Sequence, residues 1–224
     1  MPLPRRPIAI VFDMDGILFD TERLYRTAWF AAAADEGHVM TEALLLSSIG
    51  NPWPTTSARL VEHYGPDFAA DAFRTKVLAR FDALLPDELA LKPGVEELLD
   101  ALDAWGLPRA IATSSAHAAA RHHLAAHALT HRFDHVVAFG DYAQGKPAPD
   151  PFLTAAARLG VDPALCVAVE DSHNGVRSAS AAGMMTIMVP DLLDANDEMQ
   201  ALCVAIAPDL HAVRDLLHAT LAHG

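Results

Sequence analysis

Six short apolar runs recur along the chain, and helix-period segments lie between them. The runs are Ile8-Ala9-Ile10-Val11-Phe12, Ala110-Ile111-Ala112, His135-Val136-Val137-Ala138, Cys166-Val167-Ala168-Val169, Thr186-Ile187-Met188-Val189 and Cys203-Val204-Ala205-Ile206. Strands alternating with amphipathic helices predict an α/β fold, a Rossmann-like parallel sheet with helices on both faces. Helices are expected from Pro93 to Trp105, His117 to Ala126, Pro151 to Leu159, Asn174 to Ala182 and Asp209 to Leu221, with Gly160 and Gly183 as C-terminal caps. One interval breaks the rhythm. From Thr21 to about Pro86 no strand is found, and Leu24–Glu36, Thr41–Ser48, Thr55–Tyr64 and Asp67–Leu85 all read as helices. The expected organisation is a core of residues 1–20 and 87–224 with a small inserted all-α cap domain at 21–86. The two short crossings would then act as hinges of a lid.

The chain has 224 residues, of which 52% are hydrophobic, enough to bury a core and too apolar for a disordered chain. Its formal charge of −13 argues against nucleic acid or an anionic membrane as partner. Arg5 and Arg6 before Ile8 imitate a signal-peptide start, but Asp13 ends the apolar run too early, and no uncharged stretch is long enough for a span. The two cysteines, Cys166 and Cys203, sit in apolar runs and are expected as buried free thiols. A cytoplasmic monomer is expected. The twelve histidines form no HExxH spacing, and His122, His123 and the rest are expected at the surface. Trp29, Phe30 and Ala31 to Ala34 are expected in the core of a cap helix.

The polar residues sit where chemistry would need them. In open α/β sheets, ligands bind beyond the carboxyl ends of the strands. The first run leads into Asp13-Met14-Asp15-Gly16, the second into Thr113-Ser114-Ser115, and the fourth into Glu170-Asp171-Ser172. Lys146 follows the third run. If these strands are neighbours, four carboxylates, a hydroxyl and one ammonium share a crevice. Crowded carboxylates repel unless a cation intervenes, and hard oxygen ligands favour Mg²⁺. Such a set suits phosphoryl transfer, which needs a nucleophile, a proton carrier and cations around the equatorial oxygens. Taken singly, each residue has a plainer reading. Asp13 and Asp15 could belong to a calcium loop, although Ile17-Leu18-Phe19 is too apolar for one. Thr113 and Glu170-Asp171 could cap the helices that follow, and Lys146 could be a solvated loop residue.

Together these stretches resemble the haloacid dehalogenase-like superfamily, in its helical-cap phosphatase and β-phosphoglucomutase-like branch. Asp13-Met14-Asp15-Gly16-Ile17-Leu18-Phe19-Asp20 is similar to that family's first motif, Thr113 to its second, Lys146 to its third and Glu170-Asp171 to its fourth. The resemblance implies Asp13 as a nucleophile forming an aspartyl-phosphate and Asp15 as the proton donor and acceptor. It implies Mg²⁺ held by Asp13, the Asp15 carbonyl, Asp171 and Glu170, the last directly or through a neighbour. Thr113, the Ser114 amide and Lys146 would grip the phosphoryl group. Asp20 would brace the loop.

Within that family Asp15 argues against dehalogenases, which lack the second Asp, and the only Lys between residues 21 and 86, Lys76, does not match the Schiff-base lysine of phosphonate hydrolases. A P-type ATPase would carry Thr at position 15 and need membrane spans. A phosphatase and a phosphomutase remain. The loop that matches the family's cap specificity loop is Ile49-Gly50-Asn51-Pro52-Trp53-Pro54, with Trp53 at the Arg position of β-phosphoglucomutases and Ala116 at their Lys position. Loss of both cations favours hydrolysis of a small phosphorylated metabolite, such as a sugar phosphate. Gly50, Asn51 and Trp53, with Thr55 and Thr56, would set specificity by neutral contacts. Ser115 and His117 could supply weaker distal contacts. The alternatives are a β-phosphoglucomutase-like isomerase and a non-catalytic binding protein on the same scaffold.

Overall fold

The computed structural model describes residues 2–49, 51 and 53–222. The chain divides into two compact units, one of Met1–Phe19 and Leu91–Gly224 and the other of Asp20–Ala90.

The first unit is built on a six-stranded sheet in which every pair is parallel, in the order β3-β2-β1-β4-β5-β6. The strands are β1 (Ala9–Phe12), β2 (Arg109–Ala116), β3 (His135–Phe139), β4 (Cys166–Glu170), β5 (Met185–Met188) and β6 (Ala205–Ile206). β1 is buried on both faces, as its unbroken apolar run requires. Ala9 and Val11 pack with Ala110, Ala112, Val137 and Ala168 against Phe152, Ala155 and Ala156 of α7 (Asp150–Leu159). Phe12 meets Phe133 edge-on at 6.0 Å between centroids. From β1 the chain builds outward to β2 and β3, then returns to the other side of β1 for β4. This reversal opens a crevice beyond the carboxyl ends of β1 and β4, the usual ligand position of such sheets.

Several boundaries differ from expectation, each for a local reason. β2 runs past Ala112 to Ala116, with a register shift against β3 between those residues, so Thr113 to Ser115 are strand rather than loop. α5 (Val95–Trp105) begins two residues after Pro93, with Gly94 as its N-cap. The acidic stretch after Asp191 leads into α9 (Asp197–Leu202). There the Asn196 side chain accepts from the Met199 N–H, and Met199 is buried against Val176 and Met188. α6 (His117–Ala126), α8 (His173–Ala181) and α10 (Leu210–Ala222) lie close to their expected spans. Gly160 and Gly183 take positive φ at the ends of α7 and α8.

The second unit contains α1 (Thr21–Asp35), α2 (Glu42–Ser48), α3 (Trp53–Tyr64) and α4 (Ala70–Glu88). Trp29, Ala32 and Ala33 of α1 pack with Leu45, Leu60, Phe73 and Val77. Phe30, Ala31 and Ala34 are less buried than expected, because they lie on the flank of α1. α4 continues through Pro86, where the sequence suggested an end; in the last turn a proline forfeits a single helical bond. Arg23 ties the ends of this unit together, donating to Asp20 Oδ2 at 2.9 Å and to Glu88 Oε2 at 3.2 Å. Among the described residues, no helix is long and apolar enough to cross a membrane.

Candidate active site

Asp13 follows the last residue of β1, and its backbone N–H donates to the Val169 carbonyl of β4 at 2.9 Å. That bond extends the β1–β4 pairing beyond the strands and sets Asp13 beside Glu170 and Asp171. Carboxylate oxygens of Asp13, Glu170 and Asp171 lie within 4.8 Å of one another, and all three residues are buried. Lys146 reaches between them. Its Nζ is 2.5 Å from Asp13 Oδ1 and 2.7 Å from Glu170 Oε1. With 7% of its side chain exposed and its ammonium 5.0 Å from the Phe152 ring centre, Lys146 is not a solvated loop residue. The other Glu170 oxygen accepts from the Ser172 N–H at 2.8 Å and the Ser172 hydroxyl at 3.0 Å.

Two glycines make room for these carboxylates. Gly175, in the first turn of α8, leaves space that a Cβ would take from the Glu170 carboxylate. Gly16, at φ +78°, turns the loop after Asp15, and a Cβ there would overlap the Asp171 carboxylate. Its N–H donates to the Phe19 carbonyl at 2.9 Å, which closes the turn over Ile17 and Leu18.

Asp15 points to β2. Ser115 Oγ donates to Asp15 Oδ2 at 2.7 Å, and the Thr113 hydroxyl lies 3.5 Å from the same oxygen. Thr113 Oγ1 also accepts from the Ser115 N–H at 3.0 Å. The Tyr142 hydroxyl donates to the Thr113 carbonyl at 3.1 Å and lies beside Ser114. Ser114 itself is exposed at the strand end.

Charge in this crevice is unbalanced. Burial raises the Asp13 carboxyl to about 7, with Glu170 and Asp15 adding to the rise and Lys146 opposing it. Burial alone would depress the Lys146 ammonium, but Asp13 and Glu170 outweigh it and hold the ammonium above its usual range. Asp13 and Glu170 share the Lys146 ammonium, and Asp171 lies close to both carboxylates. A divalent cation with hard oxygen ligands fits this donor set.

The other described sequence-derived candidates make contacts of their own. Gly50 falls outside the described residues. Asn51 spends its amide on the Ser47 and Ile49 carbonyls, at 2.9 and 3.3 Å. Trp53 donates its indole N–H to Asp71 Oδ1 at 2.7 Å, and the Arg74 guanidinium lies over its ring at 4.8 Å. Sequence reasoning missed Arg74 because a residue 21 positions along the chain gives no sign of returning to Trp53. His117 pairs with Asp141 at 2.9 Å. Asp20 is engaged by Arg23. His123, expected at the surface, is 2% exposed beside Phe19, and neither ring nitrogen has a hydrogen-bond partner. Cys166 is buried and Cys203 half-buried, and both are free thiols. Tyr142, Ser172 and Gly175 were also missed. Only Ser172 carried a signal, a Ser N-cap whose side chain accepts from the Gly175 N–H.

Comparisons with known proteins agree with the geometry. The family model described as "haloacid dehalogenase-like hydrolase" matches residues 9–183. A Drosophila melanogaster protein named "Probable pseudouridine-5'-phosphatase" is 37% identical over 193 residues, covering 84% of this chain and 83% of its own. The "Phosphorylated carbohydrates phosphatase" of Thermotoga maritima is 34% identical over 201 residues, covering 88% and 93% respectively. The crystal structure of CbbY from Rhodobacter sphaeroides in complex with phosphate superposes with a TM-score of 0.69 at 27% identity. It covers 91% of this chain and 95% of that one.

Proposed function

Because the chain belongs to the haloacid dehalogenase-like hydrolases, we propose that it is a Mg²⁺-dependent phosphatase that hydrolyses a small phosphorylated metabolite, a sugar phosphate above all, through an aspartyl-phosphate. The observation that carries the reading is Lys146, buried and held between Asp13 and Glu170 with Asp171 within ligand distance of both carboxylates. The relatives named "Probable pseudouridine-5'-phosphatase" and "Phosphorylated carbohydrates phosphatase" support the substrate class.

In this mechanism an Asp13 carboxylate oxygen attacks phosphorus, and the alcohol oxygen of the substrate leaves. Asp15, held by the Ser115 hydroxyl, gives that oxygen a proton. Asp15 then takes a proton from water as the water oxygen attacks the phosphorus of phospho-Asp13. Inorganic phosphate leaves, and Asp13 regains its carboxylate. Lys146 keeps Asp13 oriented and holds a phosphoryl oxygen. Thr113 offers its hydroxyl and Ser114 its backbone N–H to the other oxygens. Mg²⁺ would be held by Asp13, Asp171, Glu170 and the Asp15 carbonyl, and would supply positive charge to the phosphoryl group. Residues 21–86 are proposed as the cap that sets substrate choice.

Purified protein assayed for phosphate release against a panel of sugar phosphates tests the reading. Release that requires Mg²⁺ and vanishes in Asp13→Asn supports it. No release from any substrate, or release undiminished in Asp13→Asn, rejects it.

A further inference from the structure

Tyr142 borders the candidate site, and the proposed mechanism gives it no task. It lies in the loop between β3 and Lys146. Its ring packs against the core cluster that holds Ala112, Val137 and Phe152. The loop is pinned on both sides of it. Asp141 Oδ2 accepts from the Ala138 N–H and from Arg158, each at 3.1 Å, and the Gln144 N–H donates to Asp150 Oδ1 at 3.2 Å. Tyr142 therefore reaches toward β2 from a fixed base.

The group its hydroxyl holds matters for the chemistry. The register of β2 against β3 shifts between Ala112 and Ala116, so Thr113 and Ser114 fall outside the regular ladder. Ser114 is also exposed, and packing gives its backbone little support. The Tyr142 hydroxyl donates to the Thr113 carbonyl at 3.1 Å, and its oxygen can accept from the Ser114 side chain beside it. Burial raises the phenol above its usual range, with Lys146 opposing, so it stays protonated as a donor. The Thr113 carbonyl and the Ser114 N–H are opposite ends of one planar trans peptide. Fixing the carbonyl fixes the direction of the N–H. A hydrogen bond to the carbonyl also polarises the peptide, which strengthens the N–H as a donor.

On the phosphatase reading, which this inference takes as its premise, we propose that Tyr142 is a positioning residue: it locks the Thr113–Ser114 peptide so that the Ser114 N–H is ready for a phosphoryl oxygen. Tyr142 touches no reacting atom. It acts through a backbone amide whose donor strength and direction it sets.

Tyr142→Phe tests this, since it removes the hydroxyl and keeps the packed ring. With Mg²⁺ at saturation, inorganic phosphate is titrated by calorimetry and the amide proton shift of Ser114 is followed by NMR. In the wild type that proton should move downfield as phosphate binds. In Tyr142→Phe the movement should be smaller, and the phosphate dissociation constant should rise at least about threefold, the scale of one weakened hydrogen bond. Turnover of a sugar phosphate should fall about tenfold, less than the hundredfold or more that follows removal of an oxyanion donor. Mg²⁺ affinity should be unchanged, because Tyr142 holds none of the three clustered carboxylates. Asp13→Asn, assayed alongside, separates the two claims. Turnover lost in Asp13→Asn, with Tyr142→Phe equal to wild type in all readouts, overturns the role of Tyr142 and leaves the phosphatase reading standing. Turnover undiminished in Asp13→Asn, with phosphate affinity and the Ser114 shift reduced in Tyr142→Phe, rejects that reading and keeps Tyr142 as the residue that readies the amide for phosphate. A parallel loss of Mg²⁺ affinity in Tyr142→Phe would show general distortion and overturn the inference. So would a wild-type Ser114 amide that does not respond to phosphate, a result that needs no variant to fold.

Discussion

Replacing Gly175 by alanine should damage the site out of proportion to one methyl group. The new Cβ would land in the Glu170 carboxylate, which is fully buried and fixed by Lys146 on one oxygen and Ser172 on the other. The carboxylate would have to leave, and the Lys146–Glu170 pair would break. Breaking a buried ion pair costs about 3–5 kcal/mol. Alanine in place of glycine in a helix returns at most about 1 kcal/mol. The net loss should be roughly 2–4 kcal/mol in urea unfolding, with phosphate release strongly reduced. A double-mutant cycle isolates the cause. In a Glu170→Ala background the carboxylate nearest the new Cβ is gone, so Gly175→Ala should be neutral or stabilising by up to about 1 kcal/mol. An equal cost in both backgrounds, or a stabilised Gly175→Ala single variant, would refute the reasoning.

Three further outcomes are expected. The Asp13 carboxyl is raised from 3.8 to about 7, so between those pH values the folded chain keeps a proton that the unfolded chain has lost. The metal-free protein should therefore lose stability as pH rises through that window, and Asp13→Asn or added Mg²⁺ should flatten the slope; urea midpoints at pH 5 and 8 give the comparison. Lys146→Met should lower the melting temperature sharply and Mg²⁺ should recover part of the loss, because Asp13 and Glu170 would otherwise share no cation; an unchanged melt contradicts this. His123→Phe should stabilise the chain by about 1 kcal/mol in urea unfolding, since it removes two buried ring nitrogens without partners. A destabilised variant would mean that those nitrogens are satisfied in solution.

The parts legible in the sequence were those set by local pattern. Ile8 to Phe12 is uniformly apolar because β1 is covered on both faces, and the Asp-x-Asp-Gly stretch must follow it because the crevice lies beyond its carboxyl end. Thr113, Lys146 and Glu170-Asp171 were found the same way, as polar residues following buried runs. What stayed hidden depends on meetings between distant segments. Nothing local marks Gly175 as the floor under Glu170, or Tyr142 as the partner of the Thr113 carbonyl. His123 follows another histidine on a helix of mixed polarity, and its burial comes from Phe19, about a hundred residues earlier. Arg74 reaches Trp53 only because α4 returns alongside α3.

Chemical trapping of the enzyme during turnover tests the central claim most directly. Borohydride reduces an acyl phosphate, so a chain quenched with it while hydrolysing a sugar phosphate should carry homoserine at position 13 when its peptides are weighed. Modification confined to Asp13 is the predicted result. Steady turnover with Asp13 unmodified, or with the label on another carboxylate, would contradict the account.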